Sequence, residues 1–316
     1  MVVLDALWMD ASALAFAVVL DVTLGEPPAA VHPVVYMGKI IRFLEHLGPK
    51  NNRIAQFTYG LGMALILPAA FAAAGYFLAL SLKELNPIVY IIVAGVILKA
   101  CFAIRALGRS AAAVQSTLKQ NDIDGARKSL AALVSRDTSS LTPSLASSAA
   151  VESVAENTTD SFVAPWLFFV VFGLPGALAY RVVNTLDSMI GYRGKYEYLG
   201  KASARLDDIL NFIPARLSAL AIAAASPLRG HSGRRALKAI AKEGHSTRSP
   251  NAGLTMAAMS GALGVTLEKV GCYRLGSGLR PPESSDISES INIMRWVAAL
   301  ACCLALLILV VHYAIL

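Results

Sequence analysis

The chain has 316 residues, of which 56% are hydrophobic and only 16% charged, against roughly 25% charged in an ordinary soluble domain. With a mean hydropathy of +0.57, this excludes a disordered chain, a coiled coil and a nucleic-acid-binding tail, and argues against a purely soluble fold. The net charge of +7 lies mostly in polar connections between apolar runs, which suits a membrane protein at an anionic leaflet, or a site for phosphorylated ligands, better than nucleic acid.

A spanning helix needs about 20 mostly apolar residues. Residues 4–24 are apolar enough to cross, although they hold Asp10 and end at Asp21. Their flank carries Asp5 and Asp10 but no Lys or Arg, unlike a cleaved signal peptide. Residues 54–82 contain no charge, and Asn86-Pro87 then makes a tight break. A second span runs from 87 to about 106, with Lys99 and Arg105 at its far end, where long basic side chains can snorkel to the interface. Thr142-Pro143 opens a helix that reaches Asn157 or Asp160. The apolar run 161–183 is interrupted by Gly173-Leu174-Pro175-Gly176, a pattern that fits a re-entrant hairpin as readily as a full crossing.

Residues 209–226 carry Pro214 and Arg216 and belong in the interface or within the protein. The run 256–265 is too short to cross and too rich in small residues for a surface helix, and 271–290 reads as a loop. The last span, 296–316, is interrupted only by His312. The expectation is an all-α polytopic membrane protein: about four crossings, re-entrant or interfacial helices, and cytoplasmic helical connections. It forms a single integral membrane domain over 1–316, with its polar catalytic region mainly at 105–280. Basic residues concentrate in the long connections, which places these in the cytoplasm and both termini outside, provided 161–183 does not cross. Cys101, Cys302 and Cys303 fall in apolar segments and Cys272 stands alone, so neither zinc nor a disulfide framework is indicated.

Three polar clusters stand out. Ser148, Glu152, Glu156 and Asp160 recur every four residues and share one helix face. Successive like charges repel unless a cation lies between them, and oxygen ligands without His or Cys suit Mg²⁺ together with a nucleotide's phosphates. The alternative is a solvated acidic face. Arg181, Asn184, Asp187 and Ser188 recur at helical spacing after an apolar half-helix, and Arg205, Asp207 and Asp208 precede Asn211 and Arg216. The adjacent carboxylates of that third cluster invite a metal, or an ion pair with Arg181 or Arg193. Asp122 and Asp124 begin like an aspartate-rich motif but lack its further acids, so a helix cap is the better reading. His32 has no acid or His at ligand spacing and reads locally as a structural histidine.

Several strings then occur in order. They are Asp21-Val-Thr-Leu-Gly-Glu26-Pro27, His32-Pro33-Val34, Arg136-Asp137-Thr138, and Val151 through Asp160 with Ala164-Pro165. Tyr180-Arg181 through Met189, Ala204 through Asp208, Pro214-Ala215-Arg216-Leu217 and Ser249-Pro250-Asn251-Ala252-Gly253 follow. Together they closely resemble the adenosylcobinamide-phosphate synthase family of cobalamin biosynthesis, over most of the chain. The resemblance implies an integral membrane ligase that joins adenosylcobyric acid to 1-aminopropan-2-ol or its O-phosphate and consumes ATP, with Mg²⁺. Its site would face the cytoplasm; its partners would be the corrinoid, the amino alcohol and membrane lipid, with no nucleic acid. A homo-oligomer, or a complex with other corrinoid-pathway proteins, is compatible with it.

Residue chemistry then assigns the roles. Glu152, Glu156, Asp187 and Asp208 are the catalytic candidates, and Glu152, Glu156 and Asp160 the metal ligands. Substrate and phosphate binding falls to Arg136, Arg181, Arg193, Arg205 and Arg216, with His32, Asn157, Asn184, Asn211, Ser249 and Asn251. The chain departs from the family at Met256, where many members carry Glu. A different class, a membrane sensor related to beta-lactamase regulation, shares part of the fold and is the second reading. A small transporter would need paired inverted segments, and none is evident.

Overall fold

The computed structural model describes the backbone of residues 2–315 and the side chains of residues 8–311. Helices α1 (Val2–Thr23), α2 (Pro33–Leu47), α3 (Arg53–Leu85) and α4 (Pro87–Ala100) open the chain. The Asn86-Pro87 break works as its residue types dictate. Asn86 ends α3 through its own N–H to Leu82 O, and its side chain accepts from Ile88 and Val89 N–H to start α4, with Pro87 in the first turn. After α5 (Ile104–Lys119), α6 (Ile123–Leu130) is capped by Asp122, whose Oδ1 accepts from Gly125 N–H at 2.8 Å. Thr142 Oγ1 caps α7 (Pro143–Thr158), which passes through a π-helical turn, Thr159–Val163, into α8 (Ala164–Ile190).

Within α8, Gly173 takes φ 66° and ψ −160°, a conformation that favours glycine. The Gly-Leu-Pro-Gly run therefore divides α8 into two half-helices, as its composition suggests. The remaining elements are α9 (Lys201–Leu210), α10 (Phe212–Ala225), α11 (Gly233–Glu243), α12 (Ala252–Leu263), β1 (Leu267–Lys269), β2 (Tyr273–Leu275) and α13 (Ser284–Ile315).

By length and composition, four helical stretches among the described residues can cross a membrane: Arg53–Leu85, Pro87–Lys119, Pro143–Ile190 and Ser284–Val311. A bent pair, Lys201–Leu210 with Phe212–Arg229, would make five. The protein is thus an all-α polytopic membrane protein with one small hairpin. The expected crossing at 4–24 includes side chains outside the described residues, as does the end of the expected span 296–316. Residues 271–290 are not simply a loop: 273–275 pair as a strand and α13 begins at 284.

The chain divides into two compact units. The first comprises Met1–Ala103, Ala164–Leu210 and Leu304–Leu316. There α1 packs along α4 through small residues, with Ala13, Ala17 and Ala94 fully buried. A Cβ on Gly95 would come within 2.6 Å of the Phe16 ring. Lipid offers no hydrophobic drive between helices, so such close approach and its dispersion contacts hold them. α3 packs on α8 and α9, yet little of its apolar stretch is buried; exposed Leu65, Ile66 and Phe77 give it a lipid-facing side.

The second unit comprises Ile104–Val163 and Asn211–Cys303. At its centre every residue of α12 from Gly253 to Leu263 is buried, against α7, α10, α11 and β2. That explains a helix apolar all round yet too short to cross. In the hairpin Leu267 pairs with Leu275, Glu268 with Arg274 and Lys269 with Tyr273. Strand alternation puts Tyr273 on the same face as fully buried Leu275.

In the first unit, a Cβ on Gly60 would collide with the backbone carbonyl of Leu199. Backbone cannot swing aside as a flexible side chain can. Gly60→Ala is expected to destabilise the protein by about 1–3 kcal/mol, the usual cost of overpacking, read as a lower thermal midpoint in detergent.

Candidate functional site

In the second unit, the acidic face of α7 is not uniform. Glu152 is 4% exposed, Glu156 is exposed and Asp160 half-buried. Glu152 Oε1 accepts from Ser148 Oγ at 2.7 Å, confirming the spacing of four that joins them. Its Oε2 accepts from Arg136 Nη2 at 3.0 Å and from Tyr273 Oη at 2.8 Å. Ser148 Oγ in turn accepts the N–H of Glu268, at 2.8 Å, so the hairpin is fastened to α7 at two points. Burial, then the charge and hydrogen bond of Glu152, push the Tyr273 phenol up from its ordinary value. Tyr273 therefore stays a donor. Met256 Sδ lies 3.5 Å from the same hydroxyl, so the position at which this chain departs from the family pattern borders Glu152's partner.

Among the described residues, no three His, Cys, Asp or Glu side chains gather at metal-ligand spacing. The expected cage of Glu152, Glu156 and Asp160 is not formed, because Glu152 is committed to a guanidinium, a phenol and a hydroxyl. Magnesium carried by a nucleotide needs only one or two protein carboxylates, with phosphates and water completing its shell. Glu156 and Asp160 fit that smaller demand. Arg136 has spare capacity: its Nε–H is buried and has no acceptor among the described residues.

The other candidates in this unit are held locally. Asn157 Nδ2 donates to Ser153 O at 2.9 Å. Ser249 Oγ accepts from Asn251 and Ala252 N–H at the start of α12, and Asn251 is buried. Asn211 is buried just before α10. Arg216 donates to Phe212 O at 2.7 Å and lies over the Phe212 ring.

In the first unit, the second and third sequence clusters meet. Arg181 Nη1 donates to Asn184 Oδ1 at 3.3 Å, and Asn184 Nδ2 donates to Asp207 Oδ1 at 3.4 Å. Asp187 lies within electrostatic reach of Asp208, and a Cβ on Gly191 would run into the Asp187 carboxylate. Arg181 also keeps a buried Nε–H without an acceptor among the described residues. Arg205 reaches Asp208 only at 3.8 Å and is 75% exposed. Arg193 is exposed.

Lys99 does not snorkel. It is 3% exposed, with Nζ 3.1 Å from Asp21 and 2.8 Å from Glu26, and it also donates to Phe102 O. His32 joins this group: Nδ1 accepts the Val34 N–H that starts α2, which leaves Nε2–H to donate to Glu26 at 3.0 Å. The Asp21–Glu26 and His32 strings thus build one charge network. Sequence reasoning also missed Tyr273; the alternation of Leu267 and Leu275 about Gly271 was the signal available.

Residues 14–303 match the family described as CobD/Cbib protein. The chain is 50% identical over 279 residues to the cobalamin biosynthesis protein CobD of Dehalococcoides mccartyi (strain CBDB1), covering 88% of this chain and 91% of that one. It is 39% identical to a probable cobalamin biosynthesis protein CobD of Methanococcus maripaludis (strain C5 / ATCC BAA-1333), covering 88% and 90%. With a counterpart from Methanothermobacter thermautotrophicus identity is 40%, covering 90% and 93%. No solved structure matches. The chain belongs to the CobD/Cbib family, the membrane proteins of cobalamin biosynthesis.

Two outcomes follow from these networks. Tyr273→Phe removes one donor from a buried carboxylate, which costs about 1–3 kcal/mol; thermal unfolding in detergent measures it. For Glu26, burial raises the carboxyl pKa, but hydrogen bonds and charges from His32 and Lys99 outweigh it, so the net shift is downward. A depressed folded pKa stabilises above the unfolded value of 4.5, and the gain is lost as pH falls through the folded value. The thermal midpoint of Glu26→Gln should therefore lie below wild type at neutral pH, with the gap closing on acidification below that value.

Proposed function

We propose that the chain is an adenosylcobinamide-phosphate synthase, a carbon–nitrogen ligase. It joins the propionate carboxylate of adenosylcobyric acid to the amine of 1-aminopropan-2-ol, or of its O-phosphate, and consumes ATP. The multi-pass chain would present this site to the cytoplasm, the side on which its basic connections belong. A carboxylate and an ammonium do not condense in water. In the proposed sequence a corrinoid carboxylate oxygen attacks the γ-phosphorus and ADP leaves. The deprotonated amine then attacks the acyl carbon, and phosphate departs as the amide bond forms.

The observation that carries this reading is Arg136, held through one Nη by buried Glu152 while its Nε–H has no acceptor among the described residues. A guanidinium oriented on one side and unsatisfied on another suits a phosphate or carboxylate oxygen. Arg181 repeats the pattern beside Asn184. Held by three donors, Glu152 orients Arg136 rather than abstracting a proton. Glu156 and Asp160 would hold Mg²⁺ on the nucleotide, and the ion would neutralise charge on the phosphates.

The test is mass spectrometry of reconstituted protein given adenosylcobyric acid, ATP, Mg²⁺ and each amino alcohol. Amide should form only with all components present, alongside ADP and phosphate. Glu156→Gln is expected to abolish amide formation and raise the Mg²⁺ requirement while membrane insertion stays normal. Folded protein that yields no amide with either amino alcohol would overturn the assignment.

A further inference from the structure

We propose that the outward face of α11 is a docking surface for anionic lipid headgroups. Arg234, Lys238 and Lys242 lie four residues apart on this helix, so they share one face, and all are exposed. Like charges at that spacing repel and destabilise an isolated helix. No ion pair to any of them occurs among the described residues. The nearby groups that might have answered them are engaged elsewhere. Glu243 accepts the N–H of Gly276, and Glu289 is held by Arg229 and His231. A cationic stripe left without its own acids calls for an anion from outside the chain.

The helix cannot roll this stripe away. Ala236 is fully buried, and a Cβ on Gly261 of α12 would come within 2.6 Å of Arg235 O and 2.7 Å of Ala239 Cβ. That close approach fixes the opposite face outward. Leu228 and Leu237, exposed at 53% and 49%, add apolar contact beside the cations, as suits a helix at the boundary of headgroups and acyl chains.

The tether to α13 places α11 at the right depth. Arg229 Nη2 and His231 Nε2 reach Glu289 at 3.2 and 3.3 Å, and α11 begins two residues beyond His231. Along α13, the run to Val311 that carries no charged side chain starts at Trp296, whose indole is 45% exposed; tryptophan favours the interface. Glu289 lies seven residues before it, about 10 Å along the helix at 1.5 Å per residue. That is headgroup depth or just above it, within roughly one Debye length of a charged surface.

The full chain in lipid nanodiscs tests this. Leu237→Cys carries a nitroxide, in a background in which Cys272, Cys302 and Cys303 are replaced by Ser. Its accessibility to a water-soluble nickel chelate is read by power saturation at about 0.15 M salt. Phosphatidylglycerol in a phosphatidylcholine disc should lower that accessibility roughly two-fold, high salt should reverse the effect, and Arg234→Gln with Lys238→Gln and Lys242→Gln should abolish it. Equal accessibility in the two lipids, or a lipid effect that survives the triple substitution, would overturn the proposal. So would protection by ATP or by an acidic polypeptide in pure phosphatidylcholine discs without any response to phosphatidylglycerol, which would assign the face to a soluble anion.

Discussion

A charge removed from water must meet a counter-charge or enough hydrogen bonds, because an isolated buried ion costs several kcal/mol. This constraint organises both units of the chain. In the first, Lys99 is buried in an apolar helix only because Asp21 and Glu26 close on it. Asp10 is similarly held by Tyr90 and Lys83. In the second, Glu152 is buried because Arg136, Tyr273 and Ser148 each donate to it. Each pairing also fixes the register of the helices that carry it, since removing one partner strands the other.

The same constraint explains why a hairpin of six strand residues matters in an otherwise helical protein. Tyr273 and the Glu268 N–H bring two further donors to the Ser148–Glu152 pair, so β1 and β2 complete a polar group that α7 alone leaves half satisfied. The consequence reaches the chemistry. A carboxylate held by three donors serves as an anchor, and in the proposed reaction its value would lie in aiming Arg136. Glu156, one turn along the same face, is exposed, and Asp160 is half-buried.

Charges that are not buried obey the reverse logic. Arg234, Lys238 and Lys242 can remain unpaired within the chain because water solvates them, yet their alignment is unfavourable for the helix on its own. The buried, paired Lys99 and Arg136 stand in contrast to this exposed cluster.

Much of this protein was legible from local signals. The uncharged run of α3, the Asn86-Pro87 break, the Asp122 and Thr142 caps and the Gly173 interruption depend on residues within a few positions of one another. Composition therefore determined a polytopic helical protein, and the ordered strings from Asp21 to Gly253 determined its family. Folding decided which polar residues share a site. Tyr273 reaches Glu152 across 121 positions, and Lys99 reaches Glu26 across 73. Folding likewise decided that Glu152 is buried while Glu156, one turn away, is exposed. Helical spacing determines which residues share a face, but only the neighbouring elements determine whether that face meets a donor, lipid or water.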